Sequence, residues 1–265
     1  MSNAAGAAAH IRLIEELAQK DTAVHRRHPV SHLLVTALYV LTVASYGKYA
    51  LTGLLPLILY PVFVLSAGDI PPGVIARRLL PAAPFLAFIG LFNPIFDQRT
   101  WLLLGCPVSA GWLSLLSILL RGVLALSAAL LLLALVGMGG LSAALRSLRV
   151  PRVLVMQLLL TFRYIHVLAD EAQRMMLAYR LRAPRQRGIA RGQWGSLAGQ
   201  WLLRTLHRAE RLHQAMLCRG FRGDLPQAGP ARFLPADGLY LIAWAAFFLL
   251  ARLVDLPMLL GSLFT

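Results

Sequence analysis

The sequence predicts an all-α membrane protein with about five transmembrane helices and a cytoplasmic insert of two long helices. The chain has 265 residues, of which 58% are hydrophobic, and its mean hydropathy of +0.67 is too high for an ordinary soluble domain. It nevertheless carries a formal net charge of +15. Because the long apolar stretches and most of the arginines lie in different parts of the chain, we expect a membrane-embedded part and a basic insert.

Residues 1–30 are predicted to form a cytoplasmic amphipathic segment. Ile11, Ile14, Leu17 and Ala18 recur at helical spacing beside charged residues. This pattern is typical of a helix that lies on the membrane surface, and equally of a solvated helix.

Residues 31–137 are predicted to hold the first four transmembrane helices. The apolar stretch from Leu33 to Ala67 is too long for one span of about 20 residues and just long enough for a hairpin that turns at Gly47. The sequence AGDIPPGVIARR then predicts a polar loop, and prolines kink or bound the third helix. The expected bounds of the four helices are 31–47, 49–67, 79–96 and 112–136.

Residues 238–265 hold the predicted last transmembrane helix, at about 238–261. Sixteen arginines lie from Arg146 to Arg232, whereas the predicted external turns hold only Lys48 and Arg99. Because lysine and arginine concentrate in cytoplasmic loops, the N-terminus is predicted inside and the C-terminus outside.

Residues 138–237 are predicted to form a cytoplasmic or interfacial insert of two long helices joined by a basic linker. The first helix begins at Pro151 and is apolar early and charged late, and Pro184 interrupts it. The second extends from about Trp194 to Arg219, with apolar residues at steps of three and four. The arginines fit a solvated surface, and some also fit a contact with anionic lipid, worth about 1 kcal/mol per residue.

The sequence contains no recognisable catalytic motif, because HExxH, P-loop, GxSxG and paired-carboxylate patterns do not occur in it. His25, His28 and His32 are three and four residues apart, and on a continuous helix they could converge on a metal. Pro29 disfavours a helical His28, however, and no nearby carboxylate or cysteine completes a site. We therefore expect no catalytic residue, no metal site and no cofactor in this chain.

Two arginines are expected inside predicted spans. Arg121 lies near the middle of the fourth span, and Arg252 is three residues from Asp255, with which it can pair on one helix face. A charge at membrane depth needs a partner, so we expect structural pairing or snorkelling rather than a transport role. Cys106 and Cys218 fall on opposite sides in this topology, which excludes a disulfide between them.

Two helix ends in the insert share the pattern Ala-x-x-x-Arg. Ala178 and Arg182 lie in AYRLRA, and Ala215 and Arg219 lie in AMLCRGFRG. Residues four apart share a helix face, where the alanine permits close approach and the arginine offers a planar fork for carboxylates or carbonyl oxygens. Gly220 permits the left-handed turn that ends the second helix. Two ordinary helix ends with basic last turns are the alternative.

These motifs, in an insert between the fourth and last spans, resemble the transmembrane T component of energy-coupling factor transporters, and most closely the cobalt-type CbiQ family. The stretches DTAVHRRHP before the first span and IPPGVIARRLLPAAPF before the third are also similar to that family. The family pattern carries a small residue, often glycine, after the arginine. In the first motif Ala183 occupies that position.

The resemblance implies a non-catalytic subunit of an ATP-driven importer in the inner membrane of a prokaryote. Two cytoplasmic ATPase subunits would each receive one end of a coupling helix, and the T component would link them to a small membrane protein that captures the substrate. ATP and Mg²⁺ would be bound by the ATPases, and cobalt by the capturing subunit. The implied ATPase-docking residues are Ala178, Arg182 and Ala183 for one ATPase, and Ala215, Arg219 and Gly220 for the other.

Other interpretations remain open at this point. A T component could serve another substrate, such as nickel or a vitamin, because the substrate site is expected on the partner. A membrane scaffold could use the arginines only to hold the insert on anionic lipid. Nucleic-acid binding is disfavoured because the basic stretch has few aromatic residues for stacking.

Overall fold

The protein is an all-α membrane protein, as the sequence predicts. The computed structural model describes residues 17–18, 20, 22–47, 51–92, 100–103, 106–184, 188–223 and 233–253. The chain divides into two compact units. The membrane unit comprises Ile14–Ala144 and Pro230–Thr265, and the arginine-rich unit comprises Met1–Leu13 and Leu145–Gly229.

Helix α1 of the membrane unit, Pro29–Ser45, has a proline in its first turn, where a missing N–H costs nothing. The elements that follow are two 3-10 turns, Thr52–Leu54 and Pro56–Ile58; α2, Leu59–Ala67; α3, Pro72–Leu79; α4, Ala83–Leu91; the antiparallel strands β1, Thr100–Leu103, and β2, Cys106–Ser109; and α5, Ala110–Ser147. The arginine-rich unit contributes α6, Arg152–Arg182; a 3-10 turn, Arg191–Gln193; and α7, Trp194–Cys218. Helix α8, Pro235–Leu253, returns to the membrane unit.

The centre of the membrane unit is an aromatic cluster from α1, α2 and α8. The rings of Tyr39, Tyr60 and Phe248 are almost fully buried, and their centroids lie 4.6 to 5.6 Å apart. The Tyr39 hydroxyl donates a hydrogen bond to the Leu57 carbonyl oxygen at 3.0 Å, and the Tyr60 and Thr36 hydroxyls are hydrogen-bonded at 3.0 Å. Because each buried hydroxyl has a partner, the rings stabilise the contact of α1 with α8 without an unpaired polar group.

Three helices among the described residues are long and apolar enough to cross a membrane, or four if the bent pair α3–α4 is one span. The helices expected at 31–47 and 49–67 are present as shorter apolar elements, Pro29–Ser45 and Thr52–Ala67. Helix α6 also passes this test of length and composition, because its first half is apolar. Its assignment to the insert stays a prediction.

The predicted polar loop AGDIPPGVIARR is wrong in part, because its second half forms α3. Pro72 stands in the first turn of α3, where proline is well tolerated. Helices α3 and α4 are bent by 48° relative to each other. Helical geometry in α5 is interrupted at Gly137, which has φ 64 and ψ 175 and lies one residue beyond the expected end of the fourth span.

Parts of the two terminal predictions lie outside the described residues. In the amphipathic segment Leu17 and Ala18 are helical, whereas Ile11 and Ile14 are not among the described residues. The last predicted span is described as α8 up to Leu253, and Asp255 lies beyond it.

Candidate docking site

The end of α6 carries the first predicted motif. Helix α6 ends at Arg182, and Ala183 follows with φ −127 and ψ 63 while its N–H donates to the Tyr179 carbonyl oxygen at 3.0 Å. Ala178 and Arg182 are exposed, and Ala183 is half-buried. No left-handed residue ends this helix, and an alanine at position 183 is compatible with that backbone.

The end of α7 carries the second motif and has a different cap. Gly220 has φ 79, its N–H donates to the Leu217 carbonyl oxygen at 2.9 Å, and the Phe221 N–H donates to the Met216 carbonyl oxygen at 3.0 Å. These two bonds form a Schellman motif, for which glycine is the preferred left-handed residue. The predicted role of Gly220 in ending the helix is thus confirmed.

The two arginines of the motifs are open to a partner. Arg182 and Arg219 are exposed, and in the part of the chain that the structure describes neither guanidinium makes a hydrogen bond or an ion pair. Ala215, one turn before Arg219, is exposed as well. Each motif therefore presents a small residue and an exposed arginine on one helical face.

The first motif, at the end of α6, lies beside the start of α7, and the second lies at the far end of α7. The α6 end lies beside the start of α7, because Arg182 and Gln193 line the same groove. The second motif lies at the far end of α7, so at 1.5 Å per residue the two arginines are separated by roughly 35 Å. A separation of this size lets two partner proteins bind without contact between their docking surfaces.

The groove beside Arg182 distinguishes the first motif from the second. It has a volume of about 550 Å³. Its lining includes Ala178, Tyr179 and Arg182 from α6 and Leu197 and Gln200 from α7. Gly220, by contrast, has open space around it, since a Cβ built there meets nothing within 4 Å. The first end thus borders a groove, whereas among the described residues the space beside Gly220 is open.

The histidines near the first helix form hydrogen bonds with groups of their own segment. His25 bonds to the Thr22 hydroxyl at 2.7 Å and to the Leu17 carbonyl oxygen at 3.0 Å. His28 caps α1 by accepting from the Val30 N–H at 3.2 Å, and His32 bonds to the Val24 carbonyl oxygen at 2.9 Å. His28 has ψ 131, so its backbone is extended, as expected for a residue whose helical conformation Pro29 disfavours.

The two arginines expected within spans both bind the end of α1. Arg121 of α5 donates to the Gly47 carbonyl oxygen and, at 2.9 Å, to the Ser117 hydroxyl. Arg252 of α8 donates to the Ser45 carbonyl oxygen at 3.2 Å. The last turn of α1 has no basic residue of its own. The arginines therefore supply the positive charge that a helix C-terminus favours, in agreement with the expected structural pairing.

The acidic residues Glu171 and Asp237 have defined contacts that the sequence pattern did not predict. Glu171 of α6 accepts a hydrogen bond from Arg204 of α7 at 2.7 Å. Asp237, which is 2% exposed, accepts from the backbone N–H groups of His28 at 3.2 Å and Leu234 at 3.0 Å. A local signal existed only for Asp237, because a proline at the first helical position followed by an acid at the third marks a helix start.

The geometry fits a docking surface, since the two predicted motifs present exposed guanidinium groups at separated helix ends. Within the described ranges, the structure contains no group of three or more His, Cys, Asp or Glu side chains that could hold a metal ion. The chain matches a known protein family. The family model described as "CbiQ: Cobalt transport protein" matches residues 20–229, a range that includes both helix ends.

Proposed function

This chain belongs to the CbiQ family of cobalt transport proteins, and we propose that it is the membrane-embedded coupling subunit of an ATP-driven energy-coupling factor importer for cobalt ions. The observation that carries the proposal is the pair of exposed arginines: Arg182 at the end of α6, beside the start of α7, and Arg219 at the far end of α7. One asymmetric chain that binds two similar ATPases needs two separate docking ends, and these two helix ends provide them.

In the proposed complex each helix end occupies a groove on one cytoplasmic ATPase. Ala178 and Ala215 let the groove approach the helix closely, and each guanidinium binds carboxylates or carbonyl oxygens at its wall. The ATPases bind ATP and Mg²⁺, and a separate membrane subunit captures cobalt. This chain binds the ATPases and transmits their movement, and it supplies no reacting group.

The early halves of the two helices are proposed to transmit the motion. ATP-driven closure of the ATPase pair would displace both ends. Val153 and Leu154 of α6 and Leu202 and Leu206 of α7 are exposed apolar side chains in the early halves. Apolar surface of this kind favours burial against a partner, here the substrate-capturing subunit. The proposed location is the inner membrane of a prokaryote, with the N-terminus inside and the C-terminus outside, on the basis of the arginine distribution.

Affinity purification from membranes, followed by identification of the bound proteins and metal analysis, tests this proposal. We expect two ABC-type ATPase subunits, or two copies of one, together with one small membrane protein that carries cobalt. Nickel or a vitamin on that small subunit would instead assign another substrate. Purification of this chain without any ATPase would overturn the proposal.

A lipid-binding scaffold is the second candidate, favoured by the many exposed arginines of α6 and α7. The substitutions Arg182→Lys and Arg219→Lys distinguish the two functions. A groove that recognises the guanidinium fork loses affinity for lysine, whereas attraction to anionic lipid depends on charge and is preserved. The measurement is the amount of ATPase retained by the double variant, compared with its binding to vesicles that contain anionic lipid.

A further inference from the structure

Helices α6 and α7 are joined at one carboxylate. Glu171 Oε1 accepts a hydrogen bond from Arg204 Nη1 at 2.7 Å, and its Oε2 lies 4.0 Å from Arg208 Nη2. One turn earlier on α6, the Leu168 carbonyl oxygen accepts from the Trp201 indole N–H at 3.2 Å. Two neighbouring turns of α6 thus bind one face of α7.

The charges around this contact make Glu171 different from the other acids of the unit. Its side chain is 15% exposed, whereas Asp170 and Glu210 are exposed. Among the described residues of the arginine-rich unit, Glu171 is the acid with ion pairs to the facing helix. Without its negative charge, Arg204 and Arg208 would face the Arg174 side of α6 as like charges, which repel.

We propose that Glu171 is a positioning residue that holds α6 and α7 at a fixed crossing, so that the two ATPase-docking ends move as one lever. This inference rests on the proposed function. At 1.5 Å per residue, Arg182 lies about 17 Å along α6 from Glu171, and Arg219 lies about 22 Å along α7 from Arg204. A small rotation of one helix against the other at the crossing therefore displaces both ends by several ångströms. If the crossing angle is not fixed, movement of the ATPases changes that angle and is not transmitted to the substrate-capturing subunit.

The Glu171–Arg204 contact can fix the crossing of α6 and α7 because its hydrogen-bond geometry is directional. An arginine–carboxylate hydrogen bond is short, charge-assisted and geometrically demanding. The adjacent hydrogen bond from the Trp201 indole to the Leu168 carbonyl oxygen adds a second contact, which restricts rotation of the two helices about the ion pair. Helix α7 has no buried residue among those described, so apolar packing contributes little to its position within this unit.

The test uses the complete complex, with ATPases and capturing subunit, reconstituted in vesicles. Glu171→Gln should lower the uptake of radioactive Co²⁺ at least tenfold, while ATPase capture and ATP hydrolysis stay close to those of the wild type. Asp170→Asn is the matched control, because it removes the same charge from the exposed neighbouring residue and should leave the ratio of uptake to hydrolysis unchanged.

A charge exchange keeps the test informative if Glu171→Gln fails to fold. Glu171→Arg should abolish uptake, and addition of Arg204→Glu should restore it. In the double variant the arginine at position 171 of α6 donates to the carboxylate at position 204 of α7, and that carboxylate can also bind Arg208. The inference is overturned if Glu171→Gln keeps the wild-type ratio of uptake to hydrolysis, or if the exchange restores nothing. Failure of the proposed function would be distinct, since the wild-type chain would then capture no ATPase.

Discussion

The Asp237 carboxylate accepts a hydrogen bond from the backbone N–H of His28 at 3.2 Å, across 209 residues of sequence. The same carboxylate accepts from the Leu234 N–H at 3.0 Å and lies 3.9 Å from the Arg27 guanidinium. One side chain therefore caps the start of α8 and fixes the segment that leads into α1.

Replacement of Asp237 should destabilise the membrane unit. Asp237→Ala leaves two backbone N–H groups without their acceptor, and we expect the free energy of unfolding to fall by about 1–3 kcal/mol. Asp237→Asn keeps one acceptor oxygen and should have a smaller effect. Thermal unfolding in detergent measures both, and an alanine variant that melts with the wild type would contradict this role.

The aromatic cluster should dominate the packing of α8. Phe248 is 1% exposed, so Phe248→Ala is expected to cost about 3–5 kcal/mol through lost burial and the cavity left behind. The next residue, Leu249, is 61% exposed. Leu249→Ala in detergent should therefore change stability by less than about 0.5 kcal/mol. Equal losses of unfolding free energy in Phe248→Ala and Leu249→Ala, measured by chemical denaturation, would show that the aromatic cluster is not the core.

Two glycines of the α7 segment should respond in opposite ways to alanine. Gly220 has φ 79, so Gly220→Ala should destabilise the helix end by about 1–2 kcal/mol, although its surroundings are open. Gly199 lies inside the helix with nothing near its Cβ direction, and Gly199→Ala should stabilise it by about 0.5–1 kcal/mol. Hydrogen exchange of the amides near each site measures the local effect. Unchanged or slower exchange in Gly220→Ala would argue against the described cap, and faster exchange in Gly199→Ala would contradict the expected gain inside the helix.

Local patterns in the sequence predicted the helices of the arginine-rich unit well. Helix α6 begins after Pro151 and ends before Pro184, and α7 ends at the residue before Arg219, as proline and glycine signals indicate. Amphipathic spacing and helix-ending residues act over a few positions, so they can be recognised without the fold. The placement of Ala178, Arg182, Ala215 and Arg219 at helix ends follows from them.

Contacts between distant segments could not be predicted in the same way. The sequence suggested a local Arg252–Asp255 pair, in which Asp255 lies outside the described residues. It gave no indication of the hydrogen bond that Arg252 donates to the Ser45 carbonyl oxygen of another helix. Glu171 likewise finds Arg204 across a linker. Every helix ends in backbone carbonyl groups that can accept a hydrogen bond, whatever its sequence. The residue pattern therefore does not indicate which helix end a distant arginine binds.

The retention of ATPase subunits by this chain tests the central claim most directly. ATPase captured on the immobilised membrane protein should fall by about half in Arg182→Ala or Arg219→Ala, because each removes one of two docking ends. The double variant should retain at least about tenfold less, through loss of two charge-assisted contacts. The control Arg191→Ala with Arg222→Ala removes the same charge from exposed neighbouring arginines and should retain the wild-type amount. Equal ATPase retention by the double variant and this control would contradict the assignment of Arg182 and Arg219 as docking residues.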